Sequence, residues 1–154
     1  MTTIYTIFIE GEAYEALSIA KKYVKESHKQ YCVSSLIHEP MLNYSGQNVL
    51  ILDDFDDRFS FNNMMLLVEN TRQGVKSGQQ EKIFVGDTVI ITSEKPLTEW
   101  YRNEDWRRFF EGIHEYIKMD GDKVLSYRWN EATEEFEENG NSGFLREDVS
   151  ADSL

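Results

Sequence analysis

Two short runs constrain this chain most. Asn48 to Leu52 reads N-V-L-I-L and Thr88 to Ile91 reads T-V-I-I, apolar on successive residues with no polar alternation. A strand with one face in water alternates, whereas a run this continuous belongs to a strand covered on both faces. Tyr5 to Glu10 is a third apolar run, ending at Gly11, and Tyr31 to Val33 is a plausible further strand. Between them, Ala13 to Glu26 is rich in Ala, Leu, Lys and Glu, with Leu17, Ala20, Lys21 and Val24 at helical spacing. Phe61 to Thr71 and Asp105 to Lys118 are also expected to be helical. Val75 to Phe84 is expected as a loop or hairpin, and Lys123 to Trp129 as a strand. Strands alternating with helices imply an α/β fold with a mainly parallel sheet and right-handed crossovers. Ligands of such sheets bind beyond the carboxyl ends of the strands.

Charge divides the chain. Of a net charge of -12, residues 131–154 carry -7, with eight acids against Arg146, so the body carries -5. The expected organisation is one domain over residues 4–130 and an acidic, disordered tail over 131–154, too polar to bury the surface that order requires. A body at this charge is not an autonomous nucleic-acid binder, because phosphate contacts need clustered Lys and Arg. No apolar run is long enough to span a bilayer. The start lacks a basic leader, and Cys32 is a single cysteine. A cytoplasmic location and no membrane contact are expected.

Three strand ends carry the residues with chemistry: Gly11, Asp53-Asp54 and Thr92-Ser93. An apolar strand closed by two carboxylates matches the pattern in which one carboxylate holds magnesium and the other positions an attacking water. The bland alternative is a strand ending at a solvated turn. Thr92-Ser93, followed by Pro96, can place a hydroxyl beside a terminal phosphate, or simply end a core strand. The segment Gly11 to Ser18 has the first glycine and the final serine of a phosphate-binding loop at the right spacing. Ala16 replaces its second glycine and Leu17 its lysine, while Glu12 and Glu15 add negative charge where phosphate would sit. On its own, that segment reads as a plain strand–turn–helix. His28, His38 and His114 share no metal-ligand spacing with each other or with Cys32. Trp100, Trp106 and Trp129 are expected in the core, with base stacking the alternative.

The runs Tyr44-Ser45-Gly46-Gln47-Asn48-Val49-Leu50-Ile51-Leu52-Asp53-Asp54-Phe55 and Val89 to Leu97, followed by Trp100-Tyr101, resemble the superfamily 3 helicase domain of plasmid and single-stranded-virus replication-initiator (Rep) proteins. The resemblance extends from about Tyr5 to Trp129. It implies a P-loop, AAA+-like three-layer sandwich that binds ATP and Mg2+. Within it, Gly11, Ser18 and Thr92 would contact nucleotide, and Ser18 and Asp53 would hold the metal. Asp54 would orient water, with Ser93 assisting, and Arg108 of the Arg107-Arg108 pair would reach into a neighbouring subunit. The hairpin bearing Lys76 and Lys82 would line the pore of a homo-oligomeric ring and touch single-stranded DNA or RNA. The family's preceding nuclease domain does not fit before Ile4, and Glu94 stands where many relatives have Asn.

Two functions follow as expectations. One is ATP-dependent unwinding in rolling-circle replication. The other is an impaired pseudo-ATPase, or a truncated Rep fragment, that assembles with or modulates active full-length Rep subunits, and in which Ala16→Gly with Leu17→Lys restores nucleotide binding. A third reading is an acidic interaction protein that merely keeps the sheet.

Overall fold

The computed structural model describes residues 4–69, 71–120 and 123–139. In chain order the elements are β1 (Tyr5–Glu10), α1 (Ala13–Ser27), β2 (Tyr31–Ser34), β3 (Val49–Leu52), α2 (Phe61–Val68), β4 (Gly74–Ser77), β5 (Gln80–Ile83), β6 (Thr88–Ser93), α3 (Trp106–Glu111), β7 (Glu115–Asp120), β8 (Lys123–Asn130) and β9 (Glu135–Glu138). Seven strands form one sheet in the order β2-β3-β6-β1-β7-β8-β9, and β4 and β5 form a separate hairpin. The five strands from β2 to β7 run parallel. β8 and β9 extend the sheet antiparallel.

Period-two alternation sorts the apolar strands between two cores. Ile7 and Ile9 of β1, Val49 and Ile51 of β3, Ile90 of β6 and Ile117 of β7 pack with Ala16, Ile19, Ala20 and Val24 of α1. Phe8, Leu50, Leu52, Val89, Ile91 and Tyr116 face the other way, onto Met64, Leu67, Trp100, Phe109 and Phe110. Each central strand is therefore covered on both sides, which is why its sequence shows no polar alternation. Gly86 is required where β6 begins: a Cβ there would lie 2.1 Å from the carbonyl oxygen of Asn48.

Two expectations are corrected. The stretch Asp105 to Lys118 is not one helix. α3 stops at Glu111, with Gly112 as its cap, and the chain enters β7 at Glu115. The helical segment is traded for a parallel pairing of β7 with β1 from Ile7 to Glu10, which buries Tyr116 and Ile117. The acidic segment after Asn130 is not unstructured from its start. β9 pairs with β8, and Phe136 packs against Phe110, Tyr116 and Trp129. Residues 140–154 of the expected tail lie outside the described residues. Among the described residues, no helix is long and apolar enough to cross a membrane.

Candidate functional site

The tips of β1, β3 and β6 meet at the carboxyl edge of the sheet. The connection leaving β1 runs to the β2 edge, and that leaving β6 runs across β1 to β7. Their divergence opens the edge where α/β sheets hold ligands. Backbone and side-chain hydrogen bonds tie the tips together. Gly11 N–H donates to the Ser93 carbonyl at 2.9 Å, and Phe55 N–H to the Thr92 carbonyl at 2.9 Å. The Thr92 hydroxyl accepts from Asp54 N–H at 2.8 Å and faces Asp53 Oδ1 at 3.5 Å. Asp53 Oδ2 accepts from the Ser35 hydroxyl at 3.0 Å.

Asp54 takes a left-handed backbone conformation, φ 57°. Such a turn sharply redirects the chain after β3, and Asp tolerates it better than most side chains. Partial desolvation and the neighbouring carboxylates of Asp53 and Asp56 raise the Asp54 carboxyl above the ordinary range. Nearby cations are committed elsewhere in the turn. Arg58 pairs with Asp56 at 2.9 Å and Lys95 with Asp57 at 2.9 Å. Among the described residues, no ion pair reaches Asp53 or Asp54. The two carboxylates thus form a local negative centre beside a buried threonine hydroxyl.

Ser93, Ser18, Arg108 and Lys82 each bond to partners outside that centre. Alternation puts Ser93 on the sheet face opposite Thr92, and its hydroxyl accepts from Lys95 N–H at 3.0 Å. Ser18 stands in the second turn of α1, its hydroxyl donating to the Tyr14 carbonyl at 3.0 Å. Only Gly11 and Glu12 separate β1 from α1. The eight residues expected to wrap a phosphate are therefore mostly helix, with Ala16 fully buried and Leu17 packed against the α1-side core. Glu12 is the N-cap of α1, and its two carboxylate oxygens accept from Tyr14 N–H and Glu15 N–H at 3.0 Å each. Arg108 forms a two-point ion pair with Glu69, its Nε 2.7 Å from Oε2. Lys82 Nζ donates to the carbonyls of Leu42 and Tyr44 at 3.0 and 3.1 Å, so its ammonium anchors the connector before β3. Lys76 is exposed on β4.

Sequence reasoning missed Glu12 and Ser35. Glu12 carries a readable signal, an acid directly before an Ala-rich helical run, which fills the helix end where its charge alone suggests only repulsion of phosphate. Ser35 had none, since its role depends on β2 lying beside β3. Among the described residues, no three His, Cys, Asp or Glu side chains converge as metal ligands.

No family model matches the chain. It is similar to a protein named "Replication protein" from Onion yellows phytoplasma (strain OY-M), 27% identical over 134 residues, which cover 80% of this chain and 35% of that protein. It is also similar to a "Replication-associated protein" of Goose circovirus, 29% identical over 82 residues, 51% of this chain and 27% of the relative. The chain spans about a third of the length of these relatives, 35% and 27%. Up to four fifths of its length is thus similar to replication proteins.

Proposed function

We propose that this chain is a Rep-type replication domain, derived from a superfamily 3 helicase core, that works without turning over ATP itself and acts by associating with complete Rep subunits on single-stranded nucleic acid. The observation that carries this reading is the Glu12 carboxylate on the N-terminus of α1. Free N–H groups at a helix start are what would attract a phosphate. Here two of them bind a side chain of the same chain. The residues present do not fit a triphosphate. The turn is two residues long, Leu17 offers no ammonium, and Ser18 is bonded within its own helix. The replication role rests on the similarity to the phytoplasma and circovirus proteins. The exposed Lys76 on the hairpin supports a strand contact that an oligomer would repeat.

A second reading, an ATP-dependent helicase, is favoured by one observation. Asp53, Asp54 and Thr92 lie together at the strand tips, as the acids and hydroxyl of a metal-assisted hydrolytic site would. Phosphate release and binding of a fluorescent ATP analogue, both with magnesium, separate the two. The proposal expects neither, together with co-elution of the chain with a full-length Rep protein. Magnesium-dependent phosphate release that disappears in Asp53→Asn establishes the helicase reading instead. Absence of co-elution removes the assembly role.

A further inference from the structure

On the α3 side of the sheet, away from the Asp53 centre, β7, β8 and β9 support an open cleft of about 430 Å³. Its floor and walls are aromatic: Trp106, Phe110, Tyr116, Tyr127, Trp129 and Phe136. These rings lock one another in place. Tyr116 and Tyr127 are direct partners across β7 and β8, with centroids 5.7 Å apart. Trp129 sits 5.0 Å from Phe136, its partner across β8 and β9. Two cations stand on the lining. The Arg102 guanidinium lies 4.0 Å over the Trp106 ring, and Lys118 Nζ lies 5.9 Å from the centres of both Tyr116 and Tyr127. Of the rim carboxylates Glu134 and Glu135, the first is neutralised by Arg107 at 2.9 Å. Among the described residues, the buried Trp129 indole N–H has no hydrogen-bond partner. Such a donor is rarely left orphaned in a finished core.

We infer that this cleft binds a nucleobase with its attached phosphate. Rigid aromatic faces take a planar ring by stacking, which every base offers. Cations held over such faces meet the phosphate that follows the base. An apolar peptide would complement the rings but would itself bring no anion to Arg102 and Lys118. The cleft is separate from the carboxylate centre. Three strand spacings, about 14 Å, separate β7 from β3, and alternation places Asp53 on the opposite face. One bridge joins the two regions. Glu10, at the tip of β1, accepts from the Tyr116 hydroxyl and from Leu97 N–H. The inference does not depend on whether the chain hydrolyses ATP.

The ligand has two possible sources, a free mononucleotide or a base within a single strand. Titration of the full chain at low salt with thymidine monophosphate and with short oligothymidylate, read by tryptophan fluorescence, tests both. Saturable quenching is expected. Oligothymidylate binding more tightly assigns the cleft to a strand, and equal affinities assign it to the free nucleotide. Trp106→Ala and Arg102→Glu should each weaken binding about tenfold, while Lys25→Glu on α1 should leave it unchanged. Arg102 is exposed, so its variant keeps the fold, checked by an unchanged melting temperature. No quenching by either probe up to about 1 mM, or undiminished binding by folded Arg102→Glu and Trp106→Ala, overturns the inference and makes the cleft a protein contact.

Discussion

Asp54 combines a left-handed backbone with a carboxyl that its surroundings push toward the neutral form. The sign of its effect on stability follows. A raised folded value means that the native state holds this proton more tightly than the unfolded chain does. Its favourable contribution is complete below the unfolded value and is lost as pH rises through the folded one. At neutral pH the charge therefore opposes folding. Asn keeps the shape and tolerates the same backbone conformation, so Asp54→Asn should raise the melting temperature at pH 7. The gain stays within about 0.5 kcal/mol because the group is exposed and solvent screens it. A lower melting temperature for this variant would show that the ionised carboxylate is a structural partner. His114 gives the opposite slope. Its Nδ1 accepts from Thr6 N–H at 3.1 Å, which requires that nitrogen unprotonated. Burial, then the Arg128 charge, lower its value, with Glu115 opposing. The unfolded chain takes the proton first as pH falls, so the stabilisation is present above about 6.5 and drains away below it. Denaturant unfolding at a series of pH values should show this decline, and His114→Gln should flatten it. An unchanged slope in the variant assigns the decline to other groups.

At the scale of elements, the legible parts were those with a strong local period. β1, β3 and β6 announced themselves as continuous apolar runs, and α1 by its helix-forming composition. Their convergence at Gly11, Asp53 and Thr92 was legible too, because parallel strands all present their carboxyl ends to one edge. What was not legible depended on partners distant in sequence. Tyr116 and Ile117 continue a helical spacing from Phe109 and Ile113, and only the neighbouring β1 makes them a strand. Phe136 is one aromatic among acids, and only Phe110, Tyr116 and Trp129 make it an anchor. Lys82 stands on the hairpin where a pore cation is expected, and only the distant Leu42 and Tyr44 carbonyls make its ammonium an anchor for the connector. The same distinction decides what repair of the phosphate loop can achieve. Ala16 is fully buried in α1, so glycine there costs about 1 kcal/mol in helix propensity and roughly another 1 for the lost methyl contact. Lysine at position 17 would leave from the flank of a helix whose end Glu12 already fills. Ala16→Gly with Leu17→Lys should thus lose about 2 kcal/mol and gain no nucleotide binding, contrary to the expectation from sequence. Calorimetric titration with magnesium and ATP checks this, and a gain in binding would show that the start of α1 can unwind around phosphate.

For the molecule as a whole, the sheet has two halves with different supports. The parallel half is sealed by α1 on one side and by α2 and the Trp100 cluster on the other. The antiparallel half, β8 and β9, has α3 against the face that carries its aromatic rings, and these rings both hold that edge and form the cleft. Phe136 is central to this arrangement, since it touches rings from α3, β7 and β8. Removing it deletes half-buried apolar surface and leaves Trp129 and Tyr116 without a lateral neighbour. Phe136→Ala should therefore cost about 2 kcal/mol, below the range for a fully buried aromatic. The loss should be uneven. Hydrogen exchange should accelerate in β8 and β9 while β1, β3 and β6, enclosed on both faces, keep their protection. The tips of those strands would stay in register, so the Asp53 and Thr92 arrangement should survive a change that opens the far edge. Uniform acceleration across all seven strands would instead mean that the edge hairpin and the parallel core unfold as one unit, with the aromatic cluster setting the stability of both.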